Sequence, residues 1–502
     1  MLDNSTNETF DVVIVGLGPV GATLAHLLGL RGVRTLILDR EAAAYHLPRA
    51  VHFDDETMRV FQCIGVADEL LPKLRINPGM RFVDPEGNLL LDWPRPQSES
   101  ALGWHPSWRF HQPDLEEILR TRLAERESVT IRTRCDAFMV EDKGTHVSLR
   151  YEDMAKGKIH HVHAQYVVGC DGARSLIRRF IKSGMQDLGF HERWLVVDLI
   201  LKRDKPELGD HSIQYCNPSR PATYVRSPGL RRRWEIAVLP EEDNTFITSE
   251  PQVWKLLSSW ISPDDADIER SAVYTFHSLI AEHWRRGRLL IAGDAAHQTP
   301  PFMGQGMCAG IRDAANLGWK LADVVQERAQ EHLLDSYQSE REPNTSEFIQ
   351  TAVRLGQLIN AADSEGALRA AVHKPDGRAE MKSLYPPLGP GLGQGALAGG
   401  QFGQPRLADG TRMDDRIGYA PVVVADASLA RGYRPAAGIA LLTTDDAPDL
   451  TEHLKSLGTR AVLLRPDRYI LGAAETKEEL DALSELLPTR NPDMNSLKGP
   501  IQ

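Results

Sequence analysis

Residues 11 to 30, DVVIVGLGPVGATLAHLLGL, leave this chain little freedom in how it begins to fold. DVVIVG is short, apolar and valine-rich, as a buried strand is. Gly16, Gly18 and Gly21 follow in the spacing G-x-G-x-x-G, and PVGATLAHLLGLRG continues with helical periodicity. RTLILDR then reads as a second buried strand, ending on Asp39 and Arg40. In such a strand–helix–strand unit the glycines have separate tasks. One allows the tight turn, one lets a pyrophosphate approach the backbone, and one lets helix and strand touch; an acid about 20 residues on takes a ribose hydroxyl. The reading is a dinucleotide site in an α/β fold. The run is apolar enough to tempt a membrane-span reading, but its glycine spacing and strand-like start argue against one.

The 58 basic and 69 acidic residues leave a net charge of −11, which disfavours nucleic acid and membrane as partners. Five scattered cysteines without a C-x-x-C pair predict neither a disulfide framework nor a metal site. The start, MLDNSTNETF, lacks the basic region of a secretory signal, so a cytoplasmic protein is expected.

RTRCDAFMVEDKGTHVSLRYEDMAKGKIHHVHAQYVVGCDG alternates in period two with turns at DKG and AKGK, as a β-meander does. Residues 190 to 280 mix strands such as WLVVDLIL and RRWEIAVLP with loops, and Gly306 to about Arg354 is almost all helical. Residues 374 to 412 are proline- and glycine-rich, a linker or extended loop. The tail carries GIALLTT, helical APDLTEHLKSLG, the strand RAVLLRPDRYILGAA and helical TKEELDALSELLP, a small α/β unit.

Two further motifs follow buried strands. YVVGCDGARS presents Asp171, and LLIAGDAAHQTPPFMGQGM presents Asp294 ahead of a turn and a long helix. A helix N-terminus offers unpaired N–H groups and a positive dipole end, so the second motif suits an electron-rich ligand. Taken singly, Asp39, Asp171 and Asp294 also fit solvated turn acids.

Together, in this order and spacing, the three motifs resemble the signatures of the class A flavoprotein aromatic hydroxylases, the p-hydroxybenzoate hydroxylase superfamily, over residues 10 to about 370. The resemblance implies an α/β protein in several parts. They are a discontinuous Rossmann-like FAD-binding domain of the p-hydroxybenzoate hydroxylase type (10–75, 100–190 and 281–372), an inserted β-sheet substrate domain (76–99 and 191–280), a linker (373–412) and a thioredoxin-like C-terminal domain (413–502). No cysteine follows Cys308, so that last domain has no dithiol chemistry; a structural or homodimer-contact role is expected, dispensable for the chemical step.

The resemblance also implies roles for single residues. Gly16, Gly18 and Gly21 would receive the FAD pyrophosphate, and Asp39, with Arg40 beside it, the adenosine ribose. Arg49 would lie near the flavin chain, Gln112 at the ribityl region, Asp171 in the second cofactor motif, and Asp294 on a ribityl hydroxyl. Gly304, Gln305, Gly306 and Met307 would turn backbone N–H groups to the flavin N1–O2 edge. Pro301 would line the substrate pocket, Tyr215 and Arg220 would face the ring, Arg220 toward a carboxylate, and His52 would accept the phenol proton. A backbone-bonded His52 and a solvated Arg220 are the alternatives.

The implied reaction uses NAD(P)H, with NADH favoured, as transient reductant of FAD, and O2 to form a flavin C4a-hydroperoxide that hydroxylates a phenol. PRAVHFDDET, QYCNPSRPATY and GIRDAANLGWKL most resemble 3-(3-hydroxyphenyl)propionate hydroxylases, which implies a phenolic acid hydroxylated ortho to its hydroxyl. Met303 and Cys308-Ala309 depart from the Ala and Asn-Ser of that group, so another phenolic or polyketide substrate stays open. An FAD oxidase or dehydrogenase, or a flavin-binding protein without catalysis, are the rival classes.

Overall fold

The computed structural model describes residues 8–44, 48–359 and 383–488. Parts of the expected FAD-binding domain (360–372), linker (373–382) and C-terminal domain (489–502) lie outside them.

β1 (Glu8–Val15), α1 (Pro19–Leu30) and β2 (Thr35–Asp39) form the strand–helix–strand unit that the glycine spacing predicts. β1 runs parallel to β2 and to the second half of Lys158–Gly169, inside an eight-stranded sheet. Val129–Thr133 and Leu289–Ile291 extend the parallel order on either side. Parallel strands covered on both faces must be apolar on both, and Val12 to Ile14 and Leu36 to Leu38 are fully buried. The predicted meander, Cys135–Asp142 and Val147–Asp153, pairs antiparallel with the first half of Lys158–Gly169.

A second eight-stranded sheet joins Gly79–Val83 and Leu89–Pro94 to the strands between Met185 and Gln298. Period two sorts its side chains. Leu195, Val197, Leu199, Trp234 and Ile236 pack an outer apolar core under the helix Glu250–Leu257. Asp198, Gln214, Arg233 and Glu235 alternate with them and take the inner face.

A three-stranded sheet, β3 (His52–Asp54) with Ser107–Arg109 and Arg75–Ile76, lies between. Asp54 caps α2 (Asp55–Cys63) by accepting from the Thr57 N–H at 3.0 Å. α3 (Gln112–Ala124) follows. α4 (Gly306–Val325) crosses α1 closely, since a Cβ on Gly310 would lie 2.5 Å from Val20 Cγ2. α5 (Asp335–Ile359) packs beside it.

The C-terminal unit is a mixed four-stranded sheet. RAVLLRPDRYILGAA, expected as one strand, is two antiparallel ones, Ala461–Leu464 and Ile470–Ala474. Pro466 cannot donate to a ladder and Arg468 turns at φ 67°, so the chain reverses there. The stretch 383–412 is an extended segment but not a free tether. The Gly389 N–H donates to the Glu340 carbonyl at 2.8 Å, that of Gln394 to Leu471 at 2.7 Å, and Phe402 is fully buried. Among the described residues, no helix is long and apolar enough to cross a membrane.

Candidate active site

Gly16 ends β1 at φ 105°, a left-handed conformation that glycine adopts without strain. A Cβ there would lie 2.3 Å from the Cys170 carbonyl oxygen, and one on Gly21 2.0 Å from the Gly16 carbonyl oxygen, whereas the space at Gly18 is open. Two glycines press strand, turn and helix together; the third leaves room for a ligand. Gly18 is the N-cap of α1, and no side chain caps that helix, so its first amides and positive end face the opening. Asp39 accepts from the Leu17 N–H at 2.7 Å and the Glu41 N–H at 2.8 Å, fixing the turn from the end of β2. Arg40 is solvent-exposed and pairs with Glu41. Ser175 caps the helix Leu176–Ile181, and Asp171 supports its first turn, accepting from the Leu176 N–H at 2.6 Å.

Asp294 projects from the turn Gly293–Ala295. Asp313 of α4 holds that turn from beneath, accepting from the Gly293 N–H (3.0 Å), His297 Nε2 (2.6 Å) and Arg341 Nε (3.0 Å). Burial opposes the Asp313 charge, but these contacts outweigh it and keep its pKa below the usual value. The Asp294 side chain is itself open to solvent, yet dense protein surrounds it, as on a cleft wall. That confinement raises its pKa, opposed by His297 and Arg49.

The Pro301 carbonyl accepts from the Gly304 N–H at 2.8 Å, closing the turn that leads into α4. Gln305 is the α4 N-cap but does not cap with its side chain; its Oε1 accepts from Arg312 Nη1 at 3.0 Å. The first amides of α4, from Gly306 and Met307 onward, form a second helix N-terminus without a side-chain cap.

The segment ahead of β3 is gripped from α3 and from the second large sheet. Gln112 Oε1 accepts from the Arg49 and Ala50 N–H groups at 3.0 and 2.7 Å. Arg233 and Arg270 share Asp198, and each donates to the Pro48 carbonyl at 2.6 Å; Arg233 also reaches the Arg49 carbonyl at 2.7 Å.

His52 lies directly under Gly304, but not as a free base. A carbonyl only accepts, so the contact between Nδ1 and the Gly304 oxygen at 3.4 Å places the ring proton on Nδ1. Nε2 then accepts from the Ser107 hydroxyl at 2.7 Å, which accepts in turn from Asn77 Nδ2 at 2.8 Å. Burial, then the charges of Arg109 and Arg95, push the His52 pKa down to about 3. Both nitrogens of His52 are thus engaged and the ring stays neutral, an arrangement that favours the backbone-bonded alternative over a free base. In NMR of ring-labelled protein, His52 is expected to keep the signals of the neutral Nδ1–H tautomer from about pH 5 to about pH 8. A titration centred near the ordinary 6.5 would refute this assignment.

Two further expected site residues sit away from the inner face or are already paired. Tyr215 points to the outer face, its ring centroid 4.7 Å from that of Trp260, because period two gives the inner face to Gln214 and Cys216. Arg220 is held by both Glu242 oxygens, at 2.7 and 3.0 Å, within its own loop. The inner face instead carries an apolar cluster of Phe82, Leu91, Trp93, Cys216, Phe302 and Met303. Met303 immediately precedes Gly304, so this cluster abuts the open end of α4. Arg109, Arg95 and Arg233 were missed from sequence. RRRWEIAV did place Arg233 and Glu235 on the face opposite Trp234 and Ile236, since charges alternate with apolar residues, but alternation marks one polar face and gave no sign that this face is covered.

The C-terminal unit reaches this site. The Tyr469 hydroxyl donates to Glu56 at 2.6 Å; Glu56 and Asp54 both accept from Arg312, which also holds Gln305. Two uncapped helix N-termini, an open space at Gly18 and an accessible acid between them fit a pyrophosphate joined through a polyol to an electron-rich ring.

A family model described as an FAD binding domain matches residues 9–352. A Rhodococcus jostii (strain RHA1) protein named "Probable NADH-specific resorcinol 4-hydroxylase" is 36% identical, with 96% of this chain and 95% of that one covered. A 3-(3-hydroxy-phenyl)propionate/3-hydroxycinnamic acid hydroxylase of Mycobacterium sp. (strain JLS) is 35% identical, with 91% and 80% covered. Among solved structures, the flavin-dependent monooxygenase PieE in complex with FAD and substrate superposes with a TM-score of 0.81 at 20% identity, covering 96% of this chain and 99% of that one. The aklavinone-11 hydroxylase complex with FAD and aklavinone gives 0.77 at 21% identity, covering 97% and 100%. At such identities these two report a shared fold.

Proposed function

From the premise that the chain belongs to the FAD-binding-domain family and is an FAD-dependent aromatic hydroxylase, we propose that it hydroxylates a phenol ortho to its hydroxyl, with 3-(3-hydroxyphenyl)propionate or a close phenylpropanoid as substrate. Its cofactor is FAD, and an aromatic substrate, O2 and a reduced nicotinamide are its reaction partners. In this reading the first sheet belongs to a Rossmann-like FAD-binding domain, the second to an inserted substrate domain, and the C-terminal sheet to a thioredoxin-like domain.

The carrying observation is the apolar cluster seated against the uncapped N-terminus of α4. Bound FAD, reduced by the nicotinamide, supplies the activation of O2. The amides of α1 would hold its pyrophosphate, Asp39 its adenosine ribose and Asp294 a ribityl hydroxyl. The amides at the start of α4 would offer a fixed positive helix end to the electron-rich ring without a side-chain cation. Phe82, Trp93, Phe302 and Met303 keep water from the reacting ring. His52, tied to Ser107, braces the Gly304 turn.

A second reading, a neutral dihydroxybenzene as substrate, is favoured by the near full-length match to the resorcinol 4-hydroxylase relative. The test is NADH consumption by FAD-loaded protein against a panel of phenols and phenolic acids, with product mass. Substrate-stimulated consumption with one oxygen gained by a phenylpropanoid acid is expected. Consumption that yields only hydrogen peroxide with every phenol would sink the hydroxylase reaction proposed here.

A further inference from the structure

Buried arginines in this molecule are answered by carboxylates. Arg59, Arg233, Arg270, Arg312, Arg341 and Arg465 each sit on one. Arg109 does not, nor does the half-buried Arg95: neither makes an ion pair among the described residues. Arg109 is 8% exposed, and its guanidinium donates to the Ser212 hydroxyl. Arg95 donates to the Ser383 hydroxyl at 3.3 Å, and its buried Nε has no partner. The acids nearby offset these charges only through space, Glu235 at Arg109 and Asp54 and Asp55 at Arg95, and each makes its own contact elsewhere. Glu235 lies 3.7 Å from Arg233, Asp54 is held by Arg312, and Asp55 accepts from the Tyr385 hydroxyl at 2.6 Å. Burial and the like charge of Arg95 push the Arg109 pKa down to about 10, so the two cations oppose each other. A charge withdrawn from water without a directly paired carboxylate is costly, and a chain that pairs its other buried arginines has left a place for an anion here.

The position says which anion. Arg109 lies directly opposite His52 across the β3 pair, and opposite residues share a face. His52 touches the turn into α4, and Ser212, which Arg109 holds, is paired with Met80, itself paired with Trp93 of the apolar cluster. The cations therefore border the ring pocket, whereas the glycine turn that suits a pyrophosphate lies at the start of α1. We infer that Arg109 and Arg95 seat the carboxylate of a phenolic acid substrate, which makes this site specific for acids over neutral phenols. The inference rests on the hydroxylase reading above.

The test titrates full-length, FAD-loaded protein with 3-(3-hydroxyphenyl)propionate, its methyl ester and resorcinol, following the flavin absorbance. Wild type is expected to bind the acid at least about 10-fold tighter than the ester, the effect of one charge-assisted pair. In Arg109→Met that ratio is expected to fall to about one, and Arg95→Met to lower it part-way. Equal binding of acid and ester by wild type, a comparison that needs no variant to fold, overturns the inference. So does an Arg109→Met protein that releases FAD while keeping the acid-to-ester ratio, because the arginines would then serve the dinucleotide. If resorcinol is bound and hydroxylated without any preference for acids, the hydroxylase reading stands and only the carboxylate seat falls; if no phenol is bound or hydroxylated, that reading fails first.

Discussion

Gly16→Ala is expected to give a protein that folds poorly and does not retain FAD. An alanine at φ 105° is strained, on the order of 1–2 kcal/mol. Its Cβ would also lie 2.3 Å from the Cys170 carbonyl oxygen, a backbone atom that cannot step aside alone. Cys170 is tied to β1 by its N–H, which donates to the Val15 carbonyl at 2.8 Å, so relief means parting two central parallel strands. The turn that presents the α1 amides would move with them. FAD affinity is expected to fall by about 100-fold or more, measured by quenching of flavin fluorescence on titrating apoprotein. Wild-type affinity in the variant would remove the glycine turn from the cofactor site.

Asp414→Ala is expected to be the most damaging single truncation in the C-terminal unit. Its carboxylate lies between two buried guanidiniums, taking Arg59 Nε at 2.5 Å and Arg468 Nε at 2.7 Å. Deleting it leaves two like charges facing each other without water, and breaking a buried pair from one side costs about 3–5 kcal/mol. Arg59 belongs to α2, and α2 also supplies Glu56, the link from Tyr469 to Arg312 and Gln305. The loss should therefore appear both in urea unfolding and in weaker FAD retention. The pH dependence has a definite sign. Burial works against the Asp414 charge, but Arg468 and Arg59 hold its pKa below the usual carboxylate value. Its contribution is then present above about pH 4 and fades as pH falls through the depressed value, so variant and wild type should converge in acid. A variant as stable as wild type at neutral pH would show that the contact carries nothing. Residues 413–502, expected to be dispensable for the chemical step, are joined to α2 by buried ions and not by a loose tether, so their removal is expected to cost stability as well.

What the sequence determined alone was whatever consecutive residues encode. Gly16, Gly18, Gly21 and Asp39 announce a turn because φ, close approach and strand length are local properties, and GDAAHQTPPFMGQGM announces an uncapped helix end for the same reason. Those signals were enough for the α/β fold and a dinucleotide site; FAD came from the resemblance of the motifs, in their order and spacing, to the flavoprotein hydroxylases. The partners of His52, Tyr215 and Arg220 were not legible, since each depends on what another element or loop brings to it. Ser107 and Gly304 close both nitrogens of His52, the parity of one strand turns Tyr215 outward, and Glu242 occupies Arg220. Arg109 is the converse case. A cation in SWRFHQ looks like any surface arginine until the packing of three sheets buries it without a carboxylate. Partner identity across sheets is set by register and by which charges remain unpaired once the core has closed, and no spacing along the chain records either.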